Sequence, residues 1–182
     1  MPENDEVTAP GLDRLTREPA TGWLFSAPTP VPMFGGKLCR IGLEGYEDDE
    51  RPAEFHVAIA NFLAGGPNVL RQAETDLFRY YKDFEDLWVE EEGFAPIETA
   101  DALWRHVRTG DEPMISRRPY GDRGLYVSIE CECDWEPEHG LQIVLKNGLK
   151  VSKLGPYNGH LTNTDAYGDS RLEDVIFVSF RR

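Results

Sequence analysis

The side chains best suited to chemistry lie in one short stretch, from Tyr126 to Gly140. It holds five carboxylates, two cysteines, a tryptophan and a histidine. Carboxylates bind hard divalent cations, imidazole suits Zn²⁺ or Mn²⁺, and a row of acids also attracts basic proteins. We therefore predict that the binding residues are Glu130, Glu132, Asp134, Trp135, Glu136, Glu138 and His139, joined by His160 from a later loop.

The stretch begins as a half-buried strand. Apolar and polar side chains alternate from residue 125 to residue 134, which is the period of a strand with one face in the core. The apolar members are Leu125, Val127, Ile129, Cys131 and Cys133. The acidic side chains are then presented as a row on the opposite face.

Three interpretations of this region remain open. In the first, Trp135 is exposed and anchors a basic partner that the acids attract. In the second, Asp134, Glu136, Glu138 and His139 serve a metal-assisted hydrolase, which requires at least three of them to converge. In the third, Trp135 is buried and pins the strand to the helices. The sequence identifies no catalytic residue and no cofactor.

Two other motifs are weak. Cys131 and Cys133 resemble half a zinc site without a second close pair, and the acids beside them raise a thiol pKa, which argues against a nucleophile. Residues 163–174 fall near the spacing of a calcium-binding EF-hand, but Tyr167 takes a ligand position and a strand is predicted where the second helix should be.

Composition points to a globular protein. The chain has 182 residues, of which 40% are hydrophobic and 11% aromatic, enough for one domain with a sizeable core. Residues 1–20 are polar and aperiodic, so we predict a flexible N-terminal arm followed by a single domain over residues 21–182. No internal repeat is evident.

Charge restricts the partners. The formal net charge of −14 repels phosphate backbones and anionic membrane surfaces, so we expect no nucleic acid and no membrane partner. A basic protein is the expected partner, and the oligomeric state is not predicted. We expect a cytoplasmic location for two reasons. The N-terminus is acidic and has no apolar run of the kind found in signal peptides, and the spacing of the three cysteines does not indicate disulfides.

Helices are predicted in the middle of the chain. Pro52 and the Gly65-Gly66 pair bracket a first helix, although its apolar residues also fit a strand. A longer helical stretch runs from Pro67 to about residue 91 with one internal break, and a third helix runs from Thr99 to Val107.

Strands flank these helices. The predicted strands lie at residues 22–26, 37–46, 112–118, 125–134, 141–146, 149–154 and 175–180. Asn147-Gly148 predicts a type I′ hairpin turn. We therefore predict an α+β fold, a mostly antiparallel sheet with two or three helices packed on one face.

The acidic strand and the loops after it also carry a family resemblance. The run from Tyr126 to Val144, with its Cys-x-Cys-Asp-Trp-x-x-Glu-His-Gly-Leu sequence, followed by Asn147-Gly148 and residues 155–163, resembles a family of uncharacterised bacterial domains. The likeness extends over about residues 35–178. It implies a small cytoplasmic bacterial domain that binds another protein, as toxin-neutralising immunity proteins of similar size and acidity do.

Overall fold

The computed structural model describes residues 7–89 and 95–181. The strands are β1 Thr8–Ala9, β2 Asp13–Arg17, β3 Leu24–Ser26, β4 Thr29–Val31, β5 Lys37–Cys39, β6 Gly42–Glu44, β7 Val107–Thr109, β8 Met114–Arg117, β9 Leu125–Cys133, β10 Leu141–Lys146 and β11 Lys150–Gly155. The α-helices are α1 Pro52–Ala64, α2 Asn68–Arg71, α3 Glu74–Trp88 and α4 Asn163–Tyr167, with 3₁₀ helices at Pro32–Phe34, Asp101–His106 and Ser170–Leu172.

Within the described ranges, nine strands form one sheet. Its order is β1-β2-β3-β6-β8-β9-β10-β11, with β7 also paired to β9, while β4 and β5 form a separate pair. The ladders are antiparallel except the one between β6 and β8, which is parallel. The predicted α+β class with a mostly antiparallel sheet is confirmed.

Strand β9 is the centre of the sheet. It pairs with β10 along one side, and with β8 and then β7 along the other. Its apolar side chains, Leu125, Val127, Ile129, Cys131 and Cys133, are all buried in the main core. The predicted alternation is present from Ser128 to Cys133, whereas Tyr126, predicted on the polar face, is buried at the start of the strand.

The helices cover the apolar side of this sheet. Helix α1 contacts β8 and β9, and α3 contacts β11. The buried side chains of α1 recur three or four residues apart, at Phe55, Ala58, Ile59 and Phe62, which confirms a helix rather than a strand here. The longer helical stretch has the predicted break, between α2 and α3, and its predicted last residues lie outside the described ranges.

The hairpin between β10 and β11 fixes α1 on the sheet. Asn147 and Gly148 have φ of 50° and 76°, as a type I′ turn requires. A Cβ atom on Gly148 would lie 2.6 Å from the carbonyl oxygen of Ala58 and 2.9 Å from the amide nitrogen of Phe62. The turn thus approaches the helix backbone so closely that only glycine fits.

Polar groups are buried on the other face of the sheet. Lys153 donates to Gln142 (2.6 Å), and Gln142 donates to Ser128 (2.8 Å). Lys153 is only 1% exposed, and burial lowers its pKa to about 8. A carboxamide oxygen, rather than a carboxylate, is the hydrogen-bond acceptor of this amine.

The N-terminal arm was predicted wrongly in part. We expected no regular structure before residue 20, yet β1 and β2 pair with each other and β2 joins the main sheet through β3. Only Leu15 of β2 is buried, so a strand with a single inward side chain left no alternating pattern in the sequence. Residues 1–6 lie outside the described ranges.

Three further predictions were wrong in detail. The predicted strand at residues 37–46 divides into β5 and β6, which belong to different sheets. The third helix is a 3₁₀ helix, Asp101–His106, and β7 follows it at once. Residues 175–180 form no strand, because much of their hydrogen bonding goes to side chains: Asn163 binds the carbonyls of Val175 and Ile176.

No helix among the described residues combines the length and the hydropathy needed to cross a membrane.

Gly148→Ala tests the close contact between hairpin and helix. The control is Gly22→Ala, because Gly22 has the same φ of 76° and no atom within 4 Å of a built Cβ. The control should lose about 1–2 kcal/mol of unfolding free energy from the left-handed backbone alone. Gly148→Ala should lose roughly 2 kcal/mol more because the Cβ displaces α1. Equal losses in urea denaturation would show that α1 does not rest on the turn.

Candidate binding groove

Trp135 is buried, and this corrects the interpretation of it as an exposed anchor. Its side chain is 3% exposed and packs edge-on against Tyr80 (6.0 Å between ring centroids) and Tyr81 (5.7 Å). The indole Nε1 has no hydrogen-bond partner among the described residues. An indole buried between two aromatic rings stabilises the fold and cannot contact another protein.

Helix α3 holds both ends of the turn that carries Trp135. We call residues 134–140 the acidic turn. The Trp88 indole donates to the carbonyl of Trp135 (3.0 Å), and the Tyr80 hydroxyl donates to the carbonyl of Gly140 (2.9 Å). Since both bonds come from one helix, the acidic turn has a fixed position relative to the core.

The acidic turn is also ordered from within. Gly140 has φ of 63°, and a Cβ on it would lie 2.5 Å from the carbonyl oxygen of Cys131. One carboxylate oxygen of Glu136 accepts from the amides of Glu138 (3.0 Å) and His139 (3.1 Å). These contacts direct the exposed side chains of Glu138 and His139 away from the core.

The acidic row on β9 is partly neutralised. Arg108 of β7 bonds to Glu132 (3.1 Å) and to Asp134 (2.8 Å), and His106 bonds to the other oxygen of Asp134 (3.0 Å). The hydrogen bond from Arg108 is the main cause that holds the pKa of Asp134 below its usual range, and the bond with His106 is the second. Asp134 is therefore committed to a surface network, while Glu130 is exposed and has no ion-pair partner among the described residues.

Together these residues line one open groove of about 1050 Å³. We call it the acidic groove. Its charged lining consists of seven carboxylates and two cations: Asp111, Glu112, Glu130, Glu132, Asp134, Glu136 and Glu138, with Lys37 and Arg108. His139 also lines it. The groove is thus strongly negative even after its internal ion pairs are counted.

Three of the predicted metal ligands do come together. The ligand atoms of Glu136, Glu138 and His139 lie within 4.8 Å of one another. Asp134 is not in this group, because it faces Arg108 and His106. The arrangement can hold a divalent cation through two carboxylates and one imidazole, with Glu138 and His139 exposed and the Glu136 side chain largely buried.

His160 lies elsewhere. It lines a separate cleft with Glu44, Tyr120 and Asp165, so the structure does not bring it to the groove. The EF-hand alternative is wrong, because residues 163–167 form α4 with Thr162 as its cap and Asp165 bonds to Arg118.

The cysteines are buried thiols. None of the three forms a disulfide, and burial is the main cause that raises the pKa of each, for Cys133 to about 12. A thiol that stays protonated in the core is neither a nucleophile nor a metal ligand at neutral pH.

Sequence reasoning missed the residues that position the site. Tyr80, Tyr81 and Trp88 lie in the long helical stretch that was predicted from Pro67 onward, and nothing in that prediction linked them to the acidic turn. Arg108 was missed because the third helix was predicted to run to Val107, so no strand was predicted at Val107–Thr109. The β-branched residues on either side of Arg108 were the available signal of a short strand.

The fold and the groove define an α+β domain with an acidic groove on one surface. Comparison with protein families then places it: the chain belongs to the family described as a domain of unknown function (DUF6985), whose model matches residues 11–161. The prediction of an uncharacterised domain family is confirmed, while the proposed signature and the bacterial origin stay predictions. The match begins before the predicted residue 35. No curated protein and no solved structure matches the chain.

Substitution of Trp135 separates a structural role from a binding role. Trp135→Ala should lower the unfolding free energy by about 3–5 kcal/mol, because it leaves a cavity beside Tyr80 and Tyr81. Trp135→Phe should cost less than Trp135→Ala, because the phenyl ring keeps part of the packing and no described residue accepts from the indole N–H. Glu138→Ala, on the exposed side of the same turn, should stay within about 0.5 kcal/mol. A loss below about 1 kcal/mol for Trp135→Ala in urea denaturation would contradict a structural role for the indole.

Proposed function

We propose that this protein is an acidic protein-binding module whose groove takes a cationic segment of a partner protein. The observation that carries the proposal is the excess of carboxylates in the acidic groove, seven against two cations. Charge complementarity of this kind steers association and selects basic partners.

Several of these carboxylates are available to a partner. Glu130, Glu138 and Asp111 make no side-chain hydrogen bond or ion pair with any described residue. Glu132 is bonded to Arg108 but its side chain is 78% exposed. Because β9 and the acidic turn are held rigidly, these charges need little reorganisation on binding, which reduces the entropic cost of association.

The spacing of the acids favours an extended partner. Glu130, Glu132 and Asp134 occupy alternate positions of β9 and the residue after it, so neighbouring acids lie roughly 6.6–6.8 Å apart along the strand. Alternate residues of an extended peptide have the same repeat. A segment with lysine or arginine at every second position therefore matches the row.

The cellular setting is part of the proposal. Three buried, reduced cysteines support a cytoplasmic location, where thiols stay reduced. The acidity and the predicted family resemblance support a role like that of immunity proteins, which neutralise another protein by binding it.

A charge-reversed double variant tests the groove. The probe is a fluorescent peptide in which lysine alternates with serine. Glu130→Lys with Glu138→Lys removes two acids without breaking an ion pair between described residues, and should weaken binding at least ~10-fold at ~50 mM salt. Raising the salt to ~300 mM should weaken wild-type binding and reduce the difference between the proteins.

The matched control is Asp48→Lys with Glu98→Lys. Both residues are exposed, neither lines the groove, and the net charge changes equally. The control should bind within ~3-fold of wild type. Equal weakening by both double variants would mean that net charge alone attracts the peptide, and would contradict a groove-specific function.

The alternative function is a metal-assisted hydrolase, and the convergence of Glu136, Glu138 and His139 is the observation that favours it. It receives less support, because one oxygen of Glu136 already accepts two amides and Asp134 is engaged elsewhere. If it holds, Mn²⁺ should bind in calorimetry, and Glu138→Gln with His139→Ala should abolish binding. No heat at ~1 mM Mn²⁺ would exclude this alternative.

A further inference from the structure

A second cleft lies where the two parallel strands end. Strands β6 and β8 run in the same direction, with Glu44 beside Ser116. The carboxyl ends of the two strands therefore lie next to each other at one end of the sheet. The residues that follow them and the loop after β11 enclose a cleft of about 600 Å³. We call it the strand-end cleft. Its volume suits a small organic molecule.

Two arginines stabilise the walls of this cleft. Arg117 bonds through Nε and Nη2 to Asp49 (2.6 and 2.9 Å) and through Nη1 to Glu54 (2.6 Å), and its side chain is 11% exposed. Arg118 is 1% exposed and bonds to Asp165 (2.7 Å) and Glu173 (2.5 Å). The arginine bonds lower the pKa of Asp49 and of Asp165.

These ion pairs decide which ligands fit. Both guanidinium groups already have carboxylate partners, so an anionic ligand would have to displace a bonded carboxylate. Asp49 and Asp165 are likewise bonded to arginine. Each arginine also bonds a second carboxylate, Glu54 or Glu173, so the surroundings of the cleft are net negative. Among the acids that line the cleft, Glu44 is the one that makes no side-chain hydrogen bond or ion pair with any described residue.

The uncommitted groups around Glu44 add apolar and hydrogen-bonding surface. Tyr120 is 75% exposed and stacks on no ring in the described part of the chain, and Pro119 and Leu161 lie in the same lining. Ser116 offers a hydroxyl on the strand beside Glu44. A tyrosine face attracts a cation as well as an apolar group.

We propose that the strand-end cleft binds a small organic cation, an amine whose ammonium group pairs with Glu44 and whose apolar body packs on Tyr120. This site is separate from the acidic groove and does not depend on the proposed function. The overall charge of −14 raises the local concentration of such cations.

Phenethylamine and 2-phenylethanol form the test pair, since they share shape and differ in charge. Phenethylamine should bind weakly, with a Kd on the order of 1 mM, and shift amide resonances of residues 44–49, 116–120 and 159–161 in ¹⁵N NMR spectra. 2-Phenylethanol should bind at least ~10-fold more weakly, because it lacks the charge that Glu44 recognises.

Variants assign the binding to named residues. Glu44→Gln and Tyr120→Ala should each weaken phenethylamine binding, the first about 3- to 5-fold. The controls Glu98→Gln and Tyr167→Ala alter an exposed acid and an exposed tyrosine outside the cleft, and should leave binding unchanged. The proposal would be overturned if the alcohol bound as well as the amine, or if Glu44→Gln had no effect. It would also be overturned if the shifts were confined to residues 130–139, or if no binding were detected at ~10 mM amine.

Discussion

The packing of Trp135 between Tyr80 and Tyr81 is the contact on which the position of the acidic groove depends. It joins the end of the central strand to helix α3, and the bonds from Tyr80 to Gly140 and from Trp88 to Trp135 fix the same turn at both ends. Once the indole is buried, the charged residues beside it must face water, because a buried unpaired charge is costly. An apolar anchor thus determines where the acids lie.

The acidic groove follows from two features that meet at this anchor. Side chains of β9 alternate between the two faces of the sheet, so that the cysteines lie in the core and the glutamates are exposed. In the acidic turn, the bonds from the amides of Glu138 and His139 to Glu136 keep the side chains of both residues directed toward solvent. Arg108 relieves repulsion within the row while leaving Glu130 available. The result is a negative surface that is fixed to the core, which is the property that the proposed function requires.

The sequence predicted those parts of the fold whose signals are local and repeated. Alternation over nine residues identified β9, Pro52 and helical spacing identified α1, and Asn147-Gly148 identified the hairpin. It failed for β2, where a single inward leucine gives no period, and for residues 175–180, whose carbonyls are bound by the Asn163 side chain. From the sequence, the burial of Trp135 was one of three alternatives. The sequence did not decide between them, because Tyr80 and Tyr81, which cover the indole, lie far from it in the chain.

The most direct measurement is a titration of ¹⁵N-labelled protein with the alternating lysine and serine peptide, followed by amide shifts. We expect saturable shifts centred on residues 130–139 and on Arg108, with the Trp135 indole resonance unbroadened because it remains in the core. Shifts spread evenly over the negative surface, or centred away from the acidic groove, would contradict the claim that this groove is the binding site.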